Sequence, residues 1–300
     1  MGFSKNSVYF WLINAKPMKQ YFLLFILFIY GCNSLNAQKM NKPSFVSGYA
    51  PLGALKMYYE VHGKGGMPLV LIHGGGSTIR ITFGHVLDSL ASDRQVIAVE
   101  LQAHGHTRDI GKPSSFKQDA DDVAALLQYL HIPKADIFGF SNGGHTTMQI
   151  GISHPEIVNR LIIASAFYRR DGAIPGFWDG FDHATLNDMP AELRAAYLRE
   201  DPDQEHLQTM FERDKTRMAE FKDWPDEDLR SIKAKTLILA GDHDVITPEH
   251  AVKISHVIPQ ARLLIVPGTH GSFLGDITTV VPGSKMPELT VGLVKEFLDK

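Results

Sequence analysis

The run Gly139-Phe140-Ser141-Asn142-Gly143-Gly144 sets one hydroxyl between glycines, where a strand of buried type gives way to a helix. A G-x-S-x-G string is weak alone and strong in that setting, because the serine then stands on a sharp turn that presents it as a nucleophile. The glycines answer a steric need, since side chains two positions to either side would collide with the neighbouring helix and strand. A serine hydroxyl is a poor nucleophile at neutral pH and requires a base. Among 14 histidines, His270 is the best placed, in Val266-Pro267-Gly268-Thr269-His270-Gly271-Ser272 on the loop past the last predicted strand. Loops at the carboxyl ends of parallel strands are where such sites assemble. The acid that orients the base should come from the loop after the preceding strand. There Leu239-Ala240-Gly241-Asp242-His243-Asp244-Val245-Ile246 offers two carboxylates, and spacing alone does not choose between them.

Negative charge developing on a substrate oxygen needs backbone N–H donors. Asn142, directly after the serine, is expected to supply one from a helix start, and Gly75 of His73-Gly74-Gly75-Gly76 the other. Gly74 and Gly76 allow the backbone to approach closely. No Gly-Lys-Ser/Thr follows, so nucleotide phosphate binding is unsupported. His104 and His106, with His73 and His243, invite a metal reading, but no H-E-x-x-H and no paired cysteines accompany them, and no metal or other cofactor is expected.

These residues need a frame, and the apolar runs supply one. After a polar linker, Leu55 to Val61 has strand composition, followed by Pro68 to Ile72, a short β-branched run of the kind buried on both sheet faces. A helix is expected over Thr78 to Leu90 and a strand over Gln95 to Glu100. Asp119 to Leu130 shows helical spacing behind an acidic first turn. Then follow strand 135–139, helix 143–150 and strand 160–164. The last part repeats the alternation with strand 236–240, helix 248–254, strand 262–266 and a closing helix 287–298. Short strands alternating with helices predict an α/β fold with a mostly parallel central sheet covered by helices on both faces.

Between Ala166 and Asp228 no convincing core strand appears. The stretch is rich in helix formers and in aromatics, with Phe167, Tyr168, Phe177, Trp178, Phe181 and Tyr197. It reads as a mainly helical cap over residues 166–230, inserted between a first core part, 38–165, and a second, 231–300. Tyr168, Phe177 and Trp178 are expected to line an apolar substrate site, and Arg169-Arg170 to face a carboxylate at its entrance.

The composition is that of an ordinary globular enzyme, 44% hydrophobic and 21% charged, with 26 glycines and 16 prolines spread as turn punctuation. Net charge is −3 with no basic arm, so no nucleic-acid partner is expected. The N-terminus differs. From Met18 the chain reads MKQYFLLFILFIYGCNSLNAQK, with ten apolar or aromatic residues from Tyr21 to Tyr30, too short for an ordinary spanning helix and proportioned like a signal-peptide core. Residues 1–17 are an extended leader or sequence upstream of a start at Met18. Ile29-Tyr30-Gly31-Cys32 resembles a lipobox, in which Cys32 would be lipidated, while Leu35-Asn36-Ala37 offers cleavage before Gln38. The expectation is an exported protein, periplasmic or secreted, with an outer-membrane lipoprotein as the alternative and a lipid anchor as the one membrane contact. Cys32 is the single cysteine, so neither a disulfide nor a thiol nucleophile is expected in the folded enzyme.

The segments LVLIHGGGS (69–77), VIAVELQAHGHTRD (96–109), ADIFGFSNGG (135–144), TLILAGDHDVITPEHA (236–251) and LLIVPGTHG (263–271) together resemble the α/β-hydrolase fold superfamily, in its capped esterase, lactonase and aminopeptidase-like branch. The resemblance spans nearly all of 50–300 except the cap. It implies Ser141 as nucleophile, His270 as base and Asp244 as the orienting acid, with Asp242 a loop-structuring residue, and the chain order Ser, Asp, His agrees. A serine nucleophile is unlike the dehalogenases and epoxide hydrolases of the superfamily, which attack with aspartate. The second segment departs from the usual D-x-x-G-H-G-x-S, reading Glu100-Leu101-Gln102-Ala103-His104-Gly105-His106-Thr107. The implied activity is hydrolysis of a small-molecule carboxylic ester or lactone through an acyl-serine. Alternatives are proline-iminopeptidase-like amide hydrolysis, carbon–carbon hydrolysis, cofactor-free perhydrolysis, and a catalytically silent binding protein on the same scaffold.

Overall fold

A computed structural model describes residues 45–300. The expected signal segment, its cleavage sites and Cys32 lie outside the described residues. Among the described residues eight strands form one sheet: β1 (Phe45–Leu52), β2 (Leu55–His62), β3 (Leu69–Ile72), β4 (Val96–Val99), β5 (Ala135–Phe140), β6 (Val158–Ala164), β7 (Lys235–His243) and β8 (Ala261–Thr269). Their spatial order is β1-β2-β4-β3-β5-β6-β7-β8. The pairs β1–β2 and β2–β4 are antiparallel and the remaining pairs parallel.

The helices are α1 (Ile79–Phe83), α2 (Leu87–Leu90), α3 (Phe116–Tyr129), α4 (Asn142–Ser153), α5 (Ala191–Glu200), α6 (Gln204–Ala219), α7 (Asp226–Arg230), α8 (Pro248–Val257) and α9 (Met286–Asp299). Alternate residues of each strand serve opposite faces of the sheet. Val70, Ile72, Ile97, Val99, Ile137 and Ile163 pack with α3, α4 and α8. Leu69, Leu71, Val96, Ala98, Phe138 and Ile162 pack with α1, α2 and α9 on the other side. Burial on both faces is why β3 and β4 read as unbroken apolar runs. Among the described residues no helix is long and apolar enough to cross a membrane.

Two local expectations are corrected. The polar linker before Leu55 contains strand β1, which pairs with β2 over its whole length around a turn at Gly53 (φ 66°). As the sheet's edge it leaves Val46 and Tyr49 exposed, so its sequence lacks the apolar signature of an interior strand. The single helix expected over 78–90 is two, because α1 ends at Gly84, whose N–H donates to the Arg80 carbonyl, and the chain re-enters helix at Leu87. Between β6 and β7 the stretch 166–230 carries α5, α6 and α7. Its own small core gathers Met189, Ala196, Tyr197, Leu207 and Met210 against Ile81 of α1.

Candidate active site

Ser141 joins β5 to α4 with φ 55° and ψ −119°, a conformation non-glycine residues seldom adopt, at a cost of about 1–3 kcal/mol. Packing holds it there. The Ser141 N–H donates to the Ala164 carbonyl of β6 at 2.8 Å. A Cβ on Gly139 would stand 1.9 Å from the Gly143 carbonyl oxygen, and one on Gly143 would stand 2.1 Å from that of Ile72. Glycine at these two positions is therefore what lets strand, helix and turn meet.

The loop after β8 brings His270 over this turn, with Nε2 3.1 Å from the Ser141 Oγ and the ring against Phe140, centroids 4.7 Å apart. Nδ1 faces Asp244 Oδ1 at 2.6 Å and donates to it. Four donors hold the Asp244 carboxylate. Besides His270, the Val245 N–H reaches Oδ1 at 2.7 Å, while the Ser165 Oγ and the Gly241 N–H reach Oδ2 at 2.5 and 3.2 Å. Burial opposes ionisation of Asp244, but the His270 ring and these donors hold its carboxyl below the ordinary value. The other candidate, Asp242, accepts from the Gly268 N–H at 2.8 Å and ties the ends of β7 and β8 together. An imidazole so held has Nε2 free to take the Ser141 proton.

Gly75 and Asn142 both border the cavity in front of Ser141. Asn142 opens α4, and first-turn N–H groups have no acceptor within their own helix. A Cβ on Gly75 would lie 2.4 Å from the Asn142 Nδ2, so a larger residue there would have to displace the Asn142 amide.

The cavity measures about 310 Å³ and its walls are largely apolar, built by Phe167, Phe177, Phe181, Met189, Phe211 and Met218. Asp188 and Lys215 add charge to the lining. Of the three aromatics expected to contact substrate, Phe177 lines the cavity and two do not. Tyr168 is fully buried elsewhere, its hydroxyl donating to Asp226 Oδ1 at 2.9 Å and its ring beside His250. Trp178 packs behind Phe167, stacked on Phe221, with its Nε1–H donating to the Arg170 carbonyl at 2.8 Å. Neither arginine borders the cavity. Arg169 faces Asp171, Asp223 and Asp226, and the Arg170 guanidinium lies over Trp178.

Behind the glycine loop lies a polar cluster for which the sequence carries no motif. Asp214 of α6 pairs with Arg217, which also donates to Asp119 Oδ2 of α3 at 2.6 Å. His104 completes the group: Nδ1 faces the Gln102 carbonyl at 2.9 Å and Nε2 faces Asp214 at 3.0 Å. Both nitrogens face acceptors, so the ring donates twice and is cationic. Burial opposes that charge, and Asp214 raises the pKa above the ordinary value nonetheless. His73, 4.8 Å away between ring centroids, accepts from the Leu101 N–H and is neutral, pushed down to about 3 by burial. Ala103, where the superfamily's pattern has glycine, adopts φ 66°, the conformation glycine reaches more easily.

A family model described as the alpha/beta hydrolase fold matches residues 67–276, and the chain belongs to that family. It is 28% identical over 220 residues to 2-hydroxy-6-oxo-2,4-heptadienoate hydrolase of Pseudomonas putida, covering 66% of this chain and 80% of that one. A Pseudomonas putida dihydrolipoyllysine-residue acetyltransferase component of an acetoin cleaving system is 36% identical over 116 residues, which span 38% of this chain and 31% of that protein. Among solved structures, the enol-lactonase from Burkholderia xenovorans LB400 superposes with a TM-score of 0.67 at 19% identity, over 84% of this chain and all of that one, a likeness of fold.

Proposed function

We propose that this protein is a serine hydrolase that cleaves a carboxylic ester or lactone with a compact apolar acyl portion. The observation that carries the reading is the continuous relay from Ser141 Oγ through His270 to the buried Asp244, at 3.1 and 2.6 Å. Asp244 holds His270 in the tautomer whose Nε2 accepts the serine proton as Ser141 attacks the carbonyl. The N–H groups of Gly75 and Asn142 receive the developing oxyanion, a stabilisation worth about 3–4 kcal/mol per donor in comparable sites. His270 then protonates the leaving alkoxide. Water repeats the sequence on the acyl-serine, giving the acid and restoring the hydroxyl. The apolar walls favour a hydrocarbon acyl group over a charged one.

A second reading, hydrolysis of a carbon–carbon bond, is favoured by the likeness to the heptadienoate hydrolase. One experiment separates them: p-nitrophenyl esters, lactones, amino-acid anilides and a vinylogous diketone offered to the protein and to Ser141→Ala, with fluorophosphonate labelling of both. Ester or lactone turnover and labelling, each lost in the variant, are expected. Serine-dependent turnover of the diketone alone would move the assignment to carbon–carbon hydrolysis, and no labelling of folded protein would favour a silent scaffold.

A further inference from the structure

The glycine loop that offers the Gly75 N–H has no side chains of its own to hold it, and Gly76 adopts φ 64°. The core holds its first residue, since the Gly74 N–H donates to Thr82 Oγ1 at 3.3 Å and the Gly74 carbonyl faces His73 Nδ1 at 2.7 Å, and what holds its far end comes from the insertion. Asp214 Oδ2 accepts from the Gly76 N–H at 2.6 Å, and Oδ1 faces the Asn142 Nδ2 at 3.4 Å. That same Nδ2 group packs beneath the Gly75 Cα, where a Cβ would collide with it. One carboxylate thus grips the residue after Gly75 and the side chain of Asn142. Both residues flank the nucleophile, and Asp214 itself borders the cavity.

The chemistry of the grip requires a carboxylate. The Gly76 N–H, His104 Nε2, Arg217 Nη2 and Asn142 Nδ2 all point at it, and all are donors. A carboxylate is acceptor-only with room for about four such bonds, whereas an amide would turn its own NH₂ toward one of them. Charge-assisted bonds of this kind are roughly twice as strong as neutral ones. Arg217 and His104 lend opposing charge, so the carboxylate does not stand as an uncompensated anion beside a site where negative charge develops.

We propose that Asp214 is the positioning residue of the oxyanion hole: by fixing the Gly76 peptide and the Asn142 side chain it aims the Gly75 N–H, so the hole is complete only with α6 seated on the core. This rests on the reading of Ser141 and its oxyanion donors given above. A carboxylate that merely docked the insertion would support stability and substrate retention. One that aims a donor matters most in the transition state, because donors must be held to within about 0.5 Å and 10–20° to act.

The test compares Asp214→Ala with the unaltered protein on the ester it turns over best, together with a matched trifluoromethyl ketone, whose carbonyl carbon Ser141 Oγ attacks to give a hemiketal with the ketone oxygen as oxyanion and the serine proton on His270. Expected is a roughly 10²-fold fall in kcat with KM changed by less than about threefold, and a parallel loss of ketone affinity. A kcat within about threefold of the original, or a loss confined to KM, overturns the proposal. Should the variant fail to fold, amide exchange in the unaltered protein decides instead. Gly76 is expected to exchange at least about tenfold more slowly than Gly75, and equal rates overturn the proposal. Absence of fluorophosphonate labelling in the unaltered protein would count against Ser141 as nucleophile, while Gly76 exchange would still report on Asp214.

Discussion

His145, four residues beyond Ser141 in α4, yields a quantitative prediction about acid stability. Its Nδ1 lies 3.0 Å from the Ser141 carbonyl, so that nitrogen carries the proton, and Nε2 is buried with no hydrogen-bond partner among the described residues. The rings of Phe116, Phe167, Phe221 and Trp224 surround it. Burial pushes the imidazole from 6.5 down to about 3. The folded ring therefore stays neutral where the unfolded one takes up a proton. Its contribution to stability is complete above the unfolded value and is lost as pH falls from 6.5 toward 3. At pH 5 the loss relative to pH 8 is about 2 kcal/mol, set almost wholly by protonation of the unfolded chain. His145→Phe keeps an aromatic ring in the cage and cannot titrate, so between pH 8 and pH 5 it should lose about 2 kcal/mol less than the original protein. Burial depresses His73 to about 3 and His250 to about 4, with the same sign, but those slopes are common to both proteins and cancel in the difference. Guanidinium unfolding at the two pH values measures it, and equal losses in the two proteins would refute the account of His145 as a buried neutral base.

Three further outcomes follow from the site. Asp244→Asn sets an amide where four donors converge and should lower kcat by about 10⁴-fold while the protein stays folded, as read by ester turnover beside near-ultraviolet circular dichroism. Gly139→Ala forces a methyl against the Gly143 backbone and the Thr147 hydroxyl, and should cost at least about 3 kcal/mol, visible as a lowered thermal midpoint. Phe177→Ala strips a ring from the cavity wall, and should lower kcat/KM for a medium-chain acyl ester by about tenfold while sparing the acetyl ester. Equal effects on the two esters would place the acyl chain elsewhere.

Much of the scaffold was legible because burial leaves a periodic trace in the chain. Strands β3 and β4 are covered on both faces and are apolar throughout, and β5 and β6 carry the apolar runs 137–140 and 161–164 after polar residues at their starts. The serine turn was legible for a related reason: backbone packed this tightly admits only glycine at fixed offsets, and that constraint is written locally. The edge strand β1 was not, since one exposed face removes the signal.

Tertiary structure decided what depends on direction and on distant partners. Neighbouring residues leave a chain toward opposite sides, so Phe167 lines the cavity while Tyr168, read as its equal, is buried against His250. Asp242 and Asp244 are two positions apart, and only the closing of the β7 and β8 loops sends one to Gly268 and the other beneath His270. Asp214 and Arg217 read as the polar residues of a charged helix. They lie on the same buried stripe as Met210 and Met218, and nothing within α6 reveals that the stripe faces the Gly76 amide, 138 residues away in the chain. Local sequence encodes how often a side chain must be buried. Which group it meets there is set only when the whole chain closes around it.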